Sequence, residues 1–279
     1  MMTIVITGVT SGIGKSLMQM FLEKGERVIG IGRSKERLIK LEQLFKERQF
    51  KHYDLVKADF ARLSDIDEAV VYIKKRYNYG IDVLINNAAI VPQKKHITED
   101  GYELQFQVNH LAVVKLTHGL LPLIQMVSGV VITTSSNAHR PAKFVSNDLE
   151  ATRRYGLLRS YARTKLYNIL FTRAMNTYVF PKTGVYSYAV HPGLVKTEIG
   201  TKDTSRLYAW FWRMFTRRGI SPDEAVSTYK YLVYDHARDD ACYFYLCEPE
   251  KMSKRAASDA YRDALWQATN QLLGLDFEH

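Results

Sequence analysis

Short apolar runs alternate with helix-like segments along this chain of 279 residues. Runs such as IDVLI and GVVITT are continuously apolar, which is typical of strands buried on both faces of a sheet. Strands separated by helices at this spacing pair in parallel, with helices on both faces. We therefore predict an α/β fold with one doubly wound parallel sheet of about seven strands, in a single domain over residues 1–279. The strands are expected near residues 3–7, 27–32, 52–57, 81–86, 129–135, 184–190 and 242–246.

The first strand runs into a glycine-rich turn, TGVTSGIGKS at residues 7–16, and then into an amphipathic helix. Such a helix start offers N–H groups and a positive dipole end to a phosphate. A mononucleotide loop of the pattern G-x-x-x-x-G-K-[ST] would need glycine at Val9, so its register fails by one residue. A dinucleotide turn gives Gly8, Gly12 and Gly14 each a steric reason, because the backbone must turn tightly and approach pyrophosphate. The loop favours a Rossmann-type dinucleotide site, with a plain turn as the alternative.

Composition narrows the class of protein further. Hydrophobic residues make up 46% of the chain, enough for a substantial core, and no apolar run reaches the roughly 18 residues that a membrane span needs. Cys242 and Cys247 lie in a strand-like CYFYLC that would turn them to opposite faces, so we predict no disulfide or metal cluster and a reducing, cytoplasmic compartment. The formal charge is +10, but Lys and Arg are scattered among acids. We therefore expect a solvated surface and no nucleic-acid partner.

Ligands of doubly wound sheets bind beyond the carboxyl ends of the strands. There Gly32 and Arg33 stand where a site for NAD would place an acidic residue. A guanidinium pairs with a 2′-phosphate through charge-assisted hydrogen bonds, so NADP(H) is favoured over NAD(H), the alternative being an exposed Arg at a helix start. Asp59 would either accept from an adenine amino group or cap a helix. Two polar pairs fit either ligand binding or turns: Asn86 with Asn87, and Ser135 with Ser136.

The stretch SYARTKLYNIL places Tyr161 and Lys165 four residues apart, on one face of a predicted helix. A phenol with a pKa near ~10 is a poor acid-base catalyst at neutral pH. An adjacent ammonium and an oxidised nicotinamide would stabilise the phenolate and lower that pKa toward the working range. The pair alone is equally compatible with a packed ring beside a surface amine.

Taken together and in this order, the motifs resemble the short-chain dehydrogenase/reductase family over nearly the whole chain: TGVTSGIG, NNAA, the serine pair, YARTK and HPGLVKT. The family's NNAG ends in Ala89 here. The resemblance implies that Tyr161 is the general acid/base, and that Lys165 binds the nicotinamide ribose and lowers the tyrosine pKa. It also implies that Asn109 of QVNH belongs to a water-linked proton relay and that Ser136 polarises the substrate carbonyl.

The resemblance also implies a set of dinucleotide contacts, from the glycine turn to HPGLVKT. They are Gly8, Thr10, Ser11, Gly12, Ile13, Gly14, Arg33, Asp59, Phe60, Asn87, Ala88, Tyr161, Lys165, Pro192, Gly193, Val195 and Thr197.

One spacing departs from the family. Most members place the catalytic serine about a dozen residues before the tyrosine, whereas Ser136 precedes Tyr161 by 25 positions, so Ser135 stays open as the alternative. The segment that lengthens this spacing, HRPAKFVSNDLEATRRYGLLR, resembles an insertion found in retinol-dehydrogenase-like and protochlorophyllide-reductase-like members, and so does the ending DALWQATNQLLG. Those relatives act on bulky apolar carbonyls or alcohols. The first kind often carries a membrane-anchoring N-terminus, which we do not expect here.

The aromatic segment 204–219 is interpreted as part of a substrate lid at 198–220. Its basic stripe also fits an interfacial helix that contacts anionic lipid, and its aromatic residues also fit plain core packing.

The predicted function is NADP(H)-dependent hydride transfer between nicotinamide and an apolar small-molecule carbonyl or alcohol, with Tyr161 as general acid/base and no metal. The alternative that stays open is a non-catalytic NADP(H)-binding sensor or scaffold. A nucleotide-sugar epimerase ranks lower, because Ser11 stands where its usual loop has glycine. The sequence is compatible with a homo-oligomer.

Overall fold

A computed structural model of the chain describes residues 1–92, 94–153, 155–193, 221–235 and 241–277. These residues form an α/β fold around one eight-stranded sheet of order β3-β2-β1-β4-β5-β6-β7-β8. The first seven strands are parallel, and β8 pairs antiparallel with β7. The strands are β1 (Thr3–Thr7), β2 (Arg27–Gly32), β3 (Tyr53–Lys57), β4 (Val83–Asn86), β5 (Val130–Thr134), β6 (Tyr186–Val190), β7 (Tyr243–Tyr245) and β8 (Glu248–Pro249).

Helices connect the parallel strands, as the alternation in the sequence predicts. They are α1 (Gly12–Glu23), α2 (Lys35–Glu47), α3 (Leu63–Arg76), α4 (Leu104–Phe106), α5 (Ala112–Gln125), α6 (Leu157–Ala174), α7 (Phe180–Thr183), α8 (Pro222–Ala225), α9 (Ser227–Tyr234) and α10 (Asp259–Leu273). A π-helical segment, Gln107–Leu111, joins α4 to α5, and a second, Met175–Val179, joins α6 to α7. A 3-10 turn, Asn137–His139, follows β5.

The pleat of the strands divides the core between the two faces of the sheet. In β1, Ile4 and Ile6 pack with the buried side of α1 and α2, whereas Val5 packs with α3 and α5. Every residue of β1 is buried, which explains why its sequence lacks an apolar-polar alternation. The prediction of a doubly wound sheet is therefore confirmed. Strands are added outward from β1 to β3 on one side and from β4 to β7 on the other, so the winding reverses between β1 and β4.

The last predicted strand is shorter than its sequence suggests. In CYFYLC only Tyr243–Tyr245 is β7, and Leu246 and Cys247 form the connection to β8 with φ of 48° and 65°. Cys242 is buried before the strand, Cys247 lies in the turn, and both are free thiols. The two cysteines are thus separated by a turn and do not occupy opposite faces of one strand.

Two sequence interpretations depend on residues that the structure does not describe. The lid at 198–220, with its aromatic segment 204–219, lies outside the described residues. Within the described part, no helix combines the length and the apolar character needed to cross a bilayer.

Candidate active site

The glycine turn follows β1 at the carboxyl edge of the sheet. Gly8 has φ of +76° and Gly12 has φ of +55°, conformations that disfavour a side chain. A Cβ on Gly14 would lie 2.4 Å from the Gly8 carbonyl oxygen and 2.6 Å from Nδ2 of Asn87. The turn therefore presses the start of α1 against the end of β4, where the first N–H groups of the helix lack intrahelical acceptors. This is the geometry that an anion, such as a pyrophosphate, requires.

The end of β4 is tied to the end of β1 through Thr7. The Thr7 hydroxyl accepts hydrogen bonds from the backbone N–H groups of Asn87 and Ala88, each at 2.9 Å. The Asn87 side chain donates to the Thr7 carbonyl at 2.9 Å. Asn86 points away from this edge and donates to the Thr117 hydroxyl. Of the asparagine pair, Asn87 therefore lies beside the glycine turn and Asn86 inside the core.

The serine pair after β5 is divided in the same way. The Ser135 hydroxyl is buried and donates to the Lys165 carbonyl at 2.7 Å. The Ser136 hydroxyl faces Tyr161, and hydrogen bonding between the two lowers the pKa of the phenol. The structure therefore brings Ser136, and not Ser135, to the phenol, although the intervening chain is longer than in most family members.

Lys165 is buried one helical turn beyond Tyr161 on α6. Its Nζ atom lies 5.5 Å from the centroid of the Tyr161 ring and donates to the Thr134 carbonyl at 2.9 Å. Asn168, on the next turn, donates to the same carbonyl at 3.2 Å. The ammonium is thus held by the end of β5, beneath the tyrosine.

Burial moves the pKa values of both groups. It raises the pKa of Tyr161 to about 12, against a smaller lowering from Ser136. It lowers the pKa of Lys165 to about 7. Among the protein groups, burial therefore outweighs hydrogen bonding at the phenol. The lowering predicted from the sequence also relied on the charge of an oxidised nicotinamide, and it stays a prediction. The expected lowering needs a further positive charge at the site.

Asn109 lies in the middle of the π-helical segment, fully buried. Its Oδ1 accepts from the Ile90 N–H at 2.8 Å, and its Nδ2 donates to the Ile90 carbonyl at 3.0 Å and to the Thr164 hydroxyl at 3.4 Å. These bonds clamp the loop after β4 onto α6. The described hydrogen bonds of the Asn109 side chain go to Ile90 and Thr164, and its part in a water-linked proton relay stays a prediction.

The remaining predicted contacts lie along the same edge. Arg33 is exposed directly after β2, while Asp59 lies after β3 and its Oδ1 accepts from the Ala61 N–H at 3.1 Å. The Asp59 carboxylate therefore organises its own turn and does not cap the following helix, whose N-cap residue is Arg62. Phe60 is buried, and the remaining described members of the predicted set are partly buried at the ends of β1 and β6: Thr10, Ser11, Ile13, Pro192 and Gly193. Val195 and Thr197 lie outside the described residues.

Sequence reasoning missed two anchoring residues. Thr7 anchors the end of β4, and the Thr134 carbonyl accepts from both Lys165 and Asn168. The Thr134 hydroxyl shares a 2.7 Å hydrogen bond with the buried Tyr229 of α9. Every residue type has a backbone carbonyl, so the sequence could not indicate that the Thr134 carbonyl is an acceptor. Thr7, in contrast, belongs to the glycine motif TGVTSGIGKS.

A dinucleotide turn at the switch point of a doubly wound sheet, with a tyrosine, lysine and serine beside it, defines a Rossmann-type oxidoreductase. A family model described as short chain dehydrogenase matches residues 2–207. The chain therefore belongs to the short-chain dehydrogenase family and is an oxidoreductase that transfers hydride with a nicotinamide cofactor.

Individual relatives agree with this assignment. The chain is 32% identical over 284 residues to mouse retinol dehydrogenase 12, covering 99% of this chain and 87% of the relative, and it falls in the retinol-dehydrogenase-like subgroup. An uncharacterised protein from Mycobacterium paratuberculosis superposes with a TM-score of 0.75 at 27% identity, covering 99% and 94% of the two chains. The NADPH-bound carbonyl reductase from chicken fatty liver shares the fold, with a TM-score of 0.68 at 21% identity and coverage of 90% and 98%.

Proposed function

We propose that the protein is an NADP(H)-dependent reductase or dehydrogenase for an apolar carbonyl or alcohol, with Tyr161 as its general acid/base. The observation that carries this proposal is the convergence of Ser136, Tyr161 and Lys165 at the end of β5, on the same edge as the glycine turn. The retinol dehydrogenase name of its relatives supports an apolar substrate.

The residues present fit a dinucleotide. The start of α1 offers N–H groups to the pyrophosphate, and Gly8 and Gly14 keep the backbone free of side chains there. Asn87, Pro192 and Gly193 would hold the nicotinamide end. When bound, the dinucleotide supplies or accepts the hydride, and its oxidised ring adds a positive charge to the site.

Tyr161 would give its proton to the carbonyl oxygen in the reduction direction and take it from the alcohol in the reverse direction. Ser136 would donate a hydrogen bond to the oxygen on which negative charge develops. Lys165 would stabilise the phenolate from below, held by the Thr134 carbonyl. A cationic ring beside the phenol would offset the rise in pKa that burial causes, which makes proton removal from an alcohol feasible near neutral pH.

NADP(H) preference rests on the end of β2. Gly32 and Arg33 leave no carboxylate there to repel a 2′-phosphate, the Arg33 side chain is exposed, and Ser34 caps α2 beside it. We expect Arg33→Ala to weaken NADPH binding by about 10-fold or more while changing NADH binding little. Arg48→Ala, at the far end of α2, is the matched control. Equal losses for the two cofactors in Arg33→Ala would exclude this basis for preference.

The experiment that tests the function combines cofactor titration and turnover. NADPH and NADH are titrated by fluorescence, and a panel of aldehydes, ketones, quinones and retinoids is then followed by loss of NADPH absorbance. We expect tight NADPH binding and a kcat that falls by about 10²- to 10⁴-fold in Tyr161→Phe. Absence of dinucleotide binding would overturn the proposal.

The same experiment tests the alternative of a non-catalytic NADP(H) sensor. Such a protein would bind NADPH tightly and would turn over no substrate in the panel. Its NADPH affinity would change no more in Tyr161→Phe than in a surface control variant. The presence of Tyr161, Lys165 and Ser136 together favours the enzyme, because a sensor has no use for a buried acid-base pair.

A further inference from the structure

The 3-10 turn after β5 is hydrogen-bonded to a distant part of the chain, β7 and the residues after β8. The turn begins directly after Ser136, the proposed catalytic serine. The Tyr243 hydroxyl of β7 donates to Oδ1 of Asn137 at 3.2 Å. Arg140, just after the turn, donates to the Glu250 carboxylate at 2.5 Å. The backbone next to the serine is therefore fixed by contacts that lie 106 and 110 residues away in the sequence.

His139 adds a third contact to this set, and it is fully buried. Its Nδ1 atom lies 2.7 Å from the Ser136 carbonyl oxygen, and its Nε2 atom lies 3.2 Å from the Ser253 backbone nitrogen. The imidazole meets the Tyr243 ring edge-on, with 5.3 Å between the centroids. One side chain thus connects the proposed catalytic serine to the residues after β8.

The two partners determine the protonation state of this imidazole. A carbonyl oxygen can only accept, so Nδ1 carries a proton, and a backbone N–H can only donate, so Nε2 carries none. His139 is therefore neutral and in a single tautomer. Burial lowers its pKa, against a smaller opposing effect of the Ser136 carbonyl, which agrees with the neutral form. An imidazolium would direct a second N–H at the Ser253 N–H.

The bond from Nδ1 acts on the serine backbone. The Ser136 carbonyl accepts from both the Nδ1 atom and the main-chain N–H of His139, the second at 3.0 Å. Both bonds fix ψ of Ser136 and keep the turn closed. The closed turn brings the Ala138 N–H to 3.1 Å from the Ser136 hydroxyl, which faces the Tyr161 phenol. The direction of the hydroxyl therefore depends on the closure of the turn.

We propose that His139 is a positioning residue, which holds the turn closed so that the Ser136 hydroxyl stays directed at the Tyr161 phenol. The imidazole takes no part in proton transfer, because both of its nitrogens are bonded to backbone groups. Its effect on turnover rests on the proposed function, whereas its effect on the contact between the serine and the phenol does not.

Three substitutions separate the two bonds of the imidazole. His139→Asn keeps a donor near the place of Nδ1, His139→Gln keeps an acceptor near the place of Nε2, and His139→Phe keeps a ring without either nitrogen. The first readout is the carbon NMR signal of Tyr161 Cζ, assigned through Tyr161→Phe, because this carbon responds to hydrogen bonding at the phenol oxygen. We expect His139→Gln and His139→Phe to shift it in the direction seen in Ser136→Ala. His139→Asn should leave it near its wild-type position.

The second readout is turnover by the same variants. We expect kcat to fall by about 10-fold in His139→Gln and His139→Phe, with KM for NADPH within about twofold, and to fall by less than about threefold in His139→Asn. In a Ser136→Ala background, His139→Phe should cause no further fall in kcat and no further shift of the Tyr161 signal, because the positioned hydroxyl is gone. Tyr243→Phe, which removes a different bond of the turn, is the control and should change both readouts less than His139→Phe.

The thermal midpoint verifies that each variant folds, and His139→Gln carries the test where His139→Phe does not fold. An unchanged Tyr161 signal in His139→Gln and His139→Phe overturns the inference. So does a fall in kcat that is as large in the Ser136→Ala background as in the wild type, since His139 would then act independently of the serine. If the wild-type protein turns over no substrate, the proposed function fails, and the Tyr161 signal alone decides the inference.

Discussion

The two adjacent serines show how one residue step decides chemistry. Ser135 and Ser136 are consecutive residues of an extended segment, so their side chains leave the backbone in opposite directions. The Ser135 hydroxyl donates to the Lys165 carbonyl of α6, and the Ser136 hydroxyl faces the Tyr161 phenol. The sequence could not choose between them because the spacing to the tyrosine is unusual, and because direction depends on where the extended segment starts.

This difference predicts distinct phenotypes for the two alanine substitutions. Ser136→Ala should lower kcat by about 10²- to 10³-fold, because a donor to the developing oxyanion is lost. It should also cost about 1 kcal/mol of unfolding free energy, because the same hydroxyl accepts from the Ala138 N–H at 3.1 Å. Ser135→Ala should cost about 1 kcal/mol of unfolding free energy and leave kcat within a few-fold, because it loses one buried hydrogen bond. Steady-state kinetics and urea denaturation measure the two effects. A larger kcat loss in Ser135→Ala would reverse the assignment.

A second buried residue, His110, makes the stability of the fold depend on pH. His110 lies in the π-helical segment, its Nε2 atom 3.1 Å from the Thr269 hydroxyl and its ring between Phe106 and Tyr167. Burial lowers its pKa to about 4, against a smaller opposing effect of Asn168. The folded protein therefore keeps this imidazole neutral, whereas the unfolded chain protonates it near its ordinary pKa of about 6.5.

The sign of the pH dependence follows from these two values. Between pH 6.5 and 4 the unfolded chain binds the proton and the folded protein does not, so stability falls as pH falls through this window. The loss approaches about 3 kcal/mol below pH 4. His110→Gln should flatten the unfolding free energy measured between pH 6.5 and 4.5, whereas His52→Gln, at an exposed position, should not. An unchanged slope in His110→Gln would show that the other histidines dominate.

At the scale of elements, the strands were the most predictable part of the fold. Each of the seven predicted strands was found within two residues at both ends. For a strand such as β1, which is buried along its whole length, the reason is that a fully buried parallel strand must be largely apolar. Strand β8 was missed, since Leu246 and Cys247 turn the chain with positive φ although neither is a usual turn residue. The π-helical segment around Asn109 was also invisible, because its residues read as ordinary helix.

The contact between the glycine turn and β4 predicts the effect of adding one methyl group. Gly14→Ala would place Cβ 2.4 Å from the Gly8 carbonyl oxygen and 2.6 Å from Asn87, so the turn must open. We expect NADPH affinity to fall by about 100-fold, because the N–H groups at the start of α1 lose their alignment. Gly156→Ala is the control, since its Cβ would meet no atom nearer than 3.6 Å. Fluorescence titration distinguishes the two, and equal affinities would refute the steric argument.

At the scale of the whole molecule, helix α10 packs against the outer side of α6, the helix that carries Tyr161. Leu265 is buried against the core on that side of the sheet, and Arg173 of α6 donates to the Ala256 and Ser258 carbonyls at 3.1 Å each. Thr269 of α10 contacts His110. The helix that carries Tyr161 is therefore positioned by the sheet on one side and by a distant part of the chain on the other.

This arrangement predicts that α10 stabilises the site without touching it. Leu265→Ala should reduce the unfolding free energy by about 3 kcal/mol, because it leaves a cavity between α10 and the core, whereas Leu272→Ala, on the exposed side of the same helix, should cost under about 1 kcal/mol. Urea denaturation measures both. Since no reacting group is removed, kcat of folded Leu265→Ala should stay within a few-fold at low temperature. A Leu265→Ala protein of native stability would mean that α10 is dispensable, and Tyr161 would then depend on the sheet alone for its position.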